Sequence, residues 1–383
     1  MSTSRVLVRT AAVLVTMLGL GVAAGPVTQA QPEPQTHQPR PAVVSLGDSY
    51  ISGEAGRWRG NSADPAGDRR GTDRAFVAAP EGPRYDPAIV YGPTAANGCH
   101  RSDVAEITHV RRLIRPATVN LACSGATTAN VLRAGAGGVP FKGEAPQNDQ
   151  LALVARQHRV TAIVLSIGGN DVGFSDIVTA CVLAFLTNGA PCRVTQQPVV
   201  DQRLPVMREA VGRTIDDLRA TMADAGYRDG SFRLVLQSYP TPLATAAQMR
   251  YPQGPQRQTV GGCPVLDTDA DWDLAAQISA ALRTVAADKG VQFLDLTGAF
   301  AGHELCSARA QQSDGTPADA TDEWLRWIDL AGQGDLNESL HPNAFGQRAL
   351  GRCLSLTLLV RRDVSCHPVP NRPASWMYLR TLR

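Results

Sequence analysis

Short apolar, β-branched runs recur along the chain at residues 42–46, 118–122, 162–167, 232–237 and 291–296. Each is shorter than a typical helix, and each predicts a buried strand. Segments with apolar residues at helical spacing lie between them, notably 102–113, 206–225 and 272–287. A last helix is predicted over 343–359, with Pro342 just before its start. Strand-like runs alternating with helices predict an α/β fold, a parallel sheet carrying helices on both faces. In such folds the working groups sit at the carboxyl ends of the strands. No internal repeat is evident.

Three long stretches break this rhythm: 57–97, 241–271 and 298–340. Connections of that length in a compact domain usually carry function. The cysteines bound or pin them, so they are expected as ordered walls around a site. Trp324, Trp327 and Ile328 sit at i, i+3, i+4 spacing, which predicts one helix face packed on a core.

The N-terminus sets the compartment. Arg5 and Arg9 precede an apolar run over 11–24, and Thr28 with Ala30, or Val22 with Ala24, offers a small-residue cleavage pair. That layout predicts a signal peptide over 1–30. The run is shorter than the roughly 20 residues that span a bilayer, so no stable membrane anchor is expected. A proline-rich flexible linker over 31–41 then leads into one domain over 42–383, and the protein is expected to be secreted as a monomer. Export places Cys99, Cys123, Cys181, Cys192, Cys263, Cys306, Cys353 and Cys366 in an oxidising compartment, which favours disulfides. Eight cysteines allow 105 pairings, and sequence alone does not choose. The expectation adopted is sequential pairing: Cys99–Cys123, Cys181–Cys192, Cys263–Cys306 and Cys353–Cys366.

Charge narrows the partners. Losing Arg5 and Arg9 with the leader takes the formal net charge from +2 to about 0, and no basic stripe remains for nucleic acid. His303-Glu304 begins like a metalloprotease HExxH, but Ser307 stands where the second histidine is needed, so no metal is expected. The glycines at 135–138 lack GxGxxG spacing after a strand, so no nucleotide cofactor is expected.

The chemistry gathers at strand ends. Gly47-Asp48-Ser49-Tyr50 follows the first run, and a serine needs a base to become a nucleophile. Asn120 to Gly125 ends the second run with a glycine whose N–H can face a site. Ser166 to Asp171 ends the third with two glycines and Asn170, whose amide offers two donors to a developing oxyanion. Glu338-Ser339-Leu340-His341-Pro342-Asn343 puts a histidine just before the last helix. GxSxG, the elbow of the α/β-hydrolases, is absent.

These blocks (GDSY, ACSGAT, GGND and HPNAFGQ) resemble those of the SGNH, or GDSL-type, hydrolase family in residue type and order, over roughly 43–354. The resemblance is closest to secreted bacterial esterases and lipases. It implies a three-layer α/β/α sandwich with a five-stranded parallel, flavodoxin-like sheet and long disulfide-pinned loops. It also implies a cofactor-free ester hydrolase acting on small-molecule or lipid esters. By the same resemblance Ser49 is the nucleophile and His341 the base, with the Ser49 N–H, the Gly125 N–H and the Asn170 side chain as oxyanion hole. Relatives often carry Asp three residues before the histidine; here that residue is Glu338, expected to orient His341, with Asp335 a weaker candidate and a backbone carbonyl the alternative. Asp48 and Asp171 are expected in structural roles. An acyltransferase or a carbohydrate O-deacetylase would use the same residues, whereas a non-catalytic binding protein would have no need of all four blocks.

Overall fold

In the computed structural model, the apolar runs form five strands of one seven-stranded sheet, and the longest of them are buried almost continuously. The structure describes residues 39–61, 76–77, 79–82, 84–110, 116–312, 318–328, 330 and 335–382. The leader and most of the linker therefore lie outside the described residues. The strands are β1 (Pro41–Gly47), β2 (Ala117–Asn120), β3 (Arg159–Ser166), β4 (Arg233–Gln237), β5 (Gln292–Asp295), β6 (Val364–Pro368) and β7 (Met377–Thr381). They lie in the order β2-β1-β3-β4-β5-β6-β7, parallel through β6, with β7 returning antiparallel. The first five strands follow the flavodoxin-like order 2-1-3-4-5. The β6–β7 hairpin extends that sheet at its edge; Pro368, Arg380 and the brevity of both strands blur their pattern in the sequence.

Period-two alternation decides which residues meet which layer. Val44, Leu46, Ile163, Leu165, Leu236 and Phe293 face one core, shared with helices α1 (Gln147–Gln157), α2 (Phe174–Leu186), α3 (Cys192–Asp224) and α4 (Leu274–Lys289). Val43, Ala162, Val164, Val235 and Leu294 face the other, packed on Phe345, Ala349, Leu350 and Leu354 of α5 (Ala344–Thr357). The result is a three-layer α/β/α sandwich.

Three helix expectations need correction. The segment 102–113 forms only a 3₁₀ turn at Glu106–His109, with 111–113 outside the described residues. It is pressed against α5 at Gly351, where a Cβ would come within 2.5 Å of the Glu106 carbonyl. There the Glu106 N–H donates to the Gln347 side chain at 2.7 Å, not to its own turn. Helix α3 starts at Cys192, well before 206, and runs through Pro198 and Pro205; Pro205 is exposed, where water can satisfy the carbonyl it leaves open. Trp324, Trp327 and Ile328 are buried, but their segment is extended and bridges Pro342 through Leu325.

Four disulfides join the cysteines sequentially: Cys99–Cys123, Cys181–Cys192, Cys263–Cys306 and Cys353–Cys366. The third ties the stretch 241–271 to the stretch 298–340. The fourth ties α5 to β6 across a separation of 13 residues. A loop of about that size restrains the unfolded chain by roughly 3 kcal/mol. Replacing Cys353 and Cys366 together by serine should lower unfolding stability in urea by about 2–4 kcal/mol. An unchanged midpoint would show that this link does not restrain the chain.

Candidate active site

The sheet delivers Ser49 to its carboxyl edge through a turn that only glycine permits. Gly47 has φ +141°, and a Cβ there would lie 1.8 Å from the Ser166 carbonyl oxygen of the neighbouring strand. Asp48 then donates its N–H to that same carbonyl at 3.0 Å. The Asp48 side chain accepts the Tyr50 N–H at 3.2 Å, capping a one-turn helix, Ser49–Ser52. Its other oxygen takes the Tyr239 hydroxyl. Burial pushes the Asp48 carboxyl up to about 7, against those two hydrogen bonds. Asp171 works similarly one loop away, accepting from the Thr128 N–H and hydroxyl.

His341 arrives from the far end of the chain on a tightly held loop. Leu340 adopts φ +62°, a conformation unfavourable to a branched side chain. Its carbonyl accepts the Tyr50 hydroxyl at 2.7 Å, and its N–H donates to the Arg326 carbonyl at 2.8 Å. The Arg326 N–H returns a bond to the His341 carbonyl at 2.8 Å, and the Asn343 N–H donates to the Trp324 carbonyl at 3.0 Å. The extended segment 324–326 is thus a splint for the histidine loop. That splint is gripped in turn from the serine side. Asn61 donates to the Leu325 carbonyl at 2.7 Å, and the Arg326 guanidinium lies 3.6 Å over the Trp58 ring. The Asn343 side chain caps α5, accepting from Phe345 and Gly346.

These supports bring the Ser49 hydroxyl to 2.6 Å from Nε2 of His341. Nδ1 of the ring stands 3.0 Å from the Ser339 carbonyl. A carbonyl only accepts, so Nδ1 carries the proton and Nε2 keeps the lone pair that faces the hydroxyl. Both residues are just 9% exposed, a dry setting that a substrate can still reach. Burial holds the imidazole below its ordinary pKa, with the charge of Glu54 the strongest influence in the other direction.

Asn170 shares the cavity with Ser49 and spends one amide hydrogen on the Ala126 carbonyl at 2.9 Å, leaving its second. Gly125 turns with φ +84°, outside the range most side chains accept. Among the described residues, neither the Ser49 N–H nor the Gly125 N–H donates to another group. Each of the three donors named from the sequence therefore keeps a hydrogen that no described group accepts.

Glu338 is where the structure departs from expectation: it does not reach His341. Its carboxylate is buried and takes Trp58 Nε1 at 2.7 Å, the Tyr91 hydroxyl at 2.7 Å, the Tyr85 hydroxyl and the Asp335 N–H. Those donors turn it away from the imidazole, whose Nδ1 partner is the Ser339 carbonyl. Asp335 caps the 3₁₀ turn Leu336–Glu338 and has no contact with the ring either. A backbone oxygen leaves no side-chain signal in a sequence. Equally unread were Glu54 and His100, a fully buried carboxylate bonded at 2.8 Å to Nδ1 of a neighbouring imidazole.

A cavity of about 270 Å³ opens from Ser49, lined by Phe174, Ile177, Tyr239, Leu274, Ile278 and Ile328 among others. Helices α2 and α4 together with the stretch 241–271 supply most of that wall; Ile328 and Leu340 of the stretch 298–340 and residues at the strand ends complete it. Its lining is predominantly apolar, with Ser49 and Asn170 as polar groups at one end, the usual composition of a site for a hydrocarbon ligand. A hollow of about 330 Å³ at the opposite ends of β4 and β5, beside Arg233 and Gln292, is polar and holds none of these groups.

Comparison with known proteins places this geometry in context. The family described as GDSL-like lipase/acylhydrolase matches residues 89–349. The chain is 27% identical over 332 residues to lipase 1 of Streptomyces coelicolor, covering 86% of this chain and 91% of that protein. It is 32% identical over 234 residues to a lipase of Streptomyces rimosus, covering 59% and 64%. Its fold is similar to the crystal structure of phospholipase A1 from Streptomyces albidoflavus, at TM-score 0.53 and 21% identity over 84% of this chain and all of that one. It is also similar to that of the extracellular lipase from Streptomyces rimosus, at TM-score 0.50 and 20% identity over 83% and 99%. Among the described residues no helix is long and apolar enough to cross a membrane.

The depressed imidazole has a measurable sign. With His341 in the role of base expected from the sequence, function would be lost only as pH falls through its lowered pKa, and turnover of a soluble ester should show an acid limb below about 6.5. A limb at or above the ordinary imidazole value would contradict the burial described for His341.

Proposed function

The chain belongs to the GDSL-like lipase/acylhydrolase family and is an ester hydrolase, and from that premise we propose that it is exported and cleaves acyl esters through an acyl-enzyme on Ser49, with His341 as general base. The observation that carries this reading is the 2.6 Å contact between the Ser49 hydroxyl and Nε2 of His341. In the proposed cycle Ser49 Oγ attacks the ester carbonyl while Nε2 takes the hydroxyl proton. The imidazolium then returns that proton to the leaving alcohol, and water repeats the sequence to release the acid. The Ser339 carbonyl fixes the ring so that Nε2, not Nδ1, faces the serine.

Negative charge develops on the former carbonyl oxygen, and the proposed hole for it combines the Ser49 N–H, the Gly125 N–H and the second amide hydrogen of Asn170. In a dry site such donors act strongly because they need not reorient from water. The apolar cavity supports a hydrocarbon acyl group as the part of the substrate that is bound, which favours lipid and other acyl esters over carbohydrate acetates. Export is supported by the leader over 1–30 and by four disulfides. In that reading residues 31–41 are the linker and 42–383 the hydrolase domain.

A fluorophosphonate probe should label the wild-type protein and not Ser49→Ala; equal labelling of both would remove Ser49 from its role. Asn170→Ala should keep the fold and lower ester turnover by about 10²–10³. Unchanged turnover would exclude its amide from the oxyanion hole.

A further inference from the structure

A Ser–His pair oriented by a backbone carbonyl has an electrostatic gap. The carbonyl fixes the ring, but it carries no full charge to stabilise the imidazolium that forms during the reaction. A cation in a buried site is costly unless a negative group lies close. Glu338, at the position where an acid would close the gap, is turned onto Trp58, Tyr85 and Tyr91.

The chain directly after the nucleophile offers another carboxylate. Glu54 is completely buried, and its N–H donates to the Ser49 carbonyl at 3.2 Å, so it lies under the serine turn itself. Both its oxygens face Nδ1 of His100, at 2.9 and 2.8 Å, and His100 stacks on the Tyr91 ring at 4.2 Å. The Tyr91 hydroxyl lies 3.0 Å from Glu54 and 2.7 Å from Glu338, and it accepts the Ala55 N–H at 3.1 Å. Glu338 closes the 3₁₀ turn that ends next to Ser339. Tyr91 has one hydroxyl hydrogen to share between the two carboxylates, and its oxygen links the His100–Glu54 pair to the turn beside the histidine loop.

We propose, resting on the hydrolase reading above, that Glu54 is a positioning residue for His341: its buried carboxylate, locked by His100 and Tyr91, takes the electrostatic part of the absent triad acid, while Ser339 takes the orienting part. The remaining charged groups around this cluster are Lys142, held by the Gly98 and Ser124 carbonyls, Asp335 at the start of the 3₁₀ turn, Glu338, and Asp48 on the serine side. Burial acts against ionisation of both partners, but the hydrogen bond and charge of His100 hold the Glu54 carboxyl below its ordinary range, and Glu54 holds His100 above its own. Both shifts favour the ionised form of the pair. Glu338, raised by burial and by the charge of Glu54, is the less easily ionised of the two carboxyls.

The measurement is kcat and kcat/KM against pH for full-length protein on a soluble nitrophenyl butyrate, with folding checked by circular dichroism. Glu54→Gln keeps the shape and removes the charge, which makes imidazolium harder to form. The acid limb of kcat/KM should move to lower pH, and kcat should fall by about tenfold for each pKa unit of lost stabilisation. His100→Gln removes the partner that holds Glu54 ionised, so Glu54 takes up a proton at higher pH and the acid limb should again move to lower pH. A purely structural pair would lower stability in both variants and leave the limb in place; that result overturns the proposal. Should Glu54→Gln not fold, His100→Gln decides: a downward move supports the role of Glu54, and an unmoved or raised limb ends it. If the wild type itself does not turn over the ester, the hydrolase reading fails first.

Discussion

The hydrogen bond between Nδ1 of His341 and the Ser339 carbonyl is the constraint from which the rest of the site follows. A histidine acts as a base towards a neighbouring hydroxyl only if its far nitrogen keeps the proton, and here a carbonyl two residues away enforces that. For a main-chain oxygen to hold this place, the loop itself must be rigid. Leu340 therefore accepts an unfavourable backbone conformation, and the Tyr50 hydroxyl, the extended segment 324–326 and the capped start of α5 keep it there. Most of those supports lead back to residues 50–61, immediately after Ser49. The two reacting side chains are thus referenced to one short piece of chain, and this lets a distance of 2.6 Å persist between positions 292 apart.

What could be read beforehand follows from how local each signal is. Ser49 and Asn170 stand where a buried strand meets a glycine turn, a pattern carried by five or six consecutive residues. His341 is betrayed by its neighbours, since Asn343 is needed to cap α5 whatever the site does. Strands β1, β3, β4 and β5 are legible because both their faces are largely covered, whereas β2, at the sheet edge, is only partly buried. Their flavodoxin-like order came with the family resemblance. The hairpin β6–β7 has no such pattern, and the 3₁₀ turn at Glu106–His109 is set by its close approach to Gly351, a contact between segments far apart in sequence.

Glu338 shows the limit of motif reasoning most clearly. A carboxylate three residues before a histidine has the right chemistry for a triad acid, and nothing nearby argues otherwise. Its actual partners, Trp58, Tyr85 and Tyr91, come from an aperiodic stretch some 250 to 280 positions earlier. Aromatic hydroxyl and indole donors satisfy the carboxylate so fully that little is left for an imidazole. The same stretch carries Tyr91 between Glu54 and Glu338, so a region that reads as featureless loop organises the ionisable groups beneath the site.

The separation of Ser49 from His341 has a consequence for when the protein becomes reactive. No fragment shorter than nearly the whole sheet contains both, and their meeting depends on contacts among the most distant in the sequence, which form slowly. Until the two ends of that span have come together, the contact between the Ser49 hydroxyl and Nε2 of His341 does not exist.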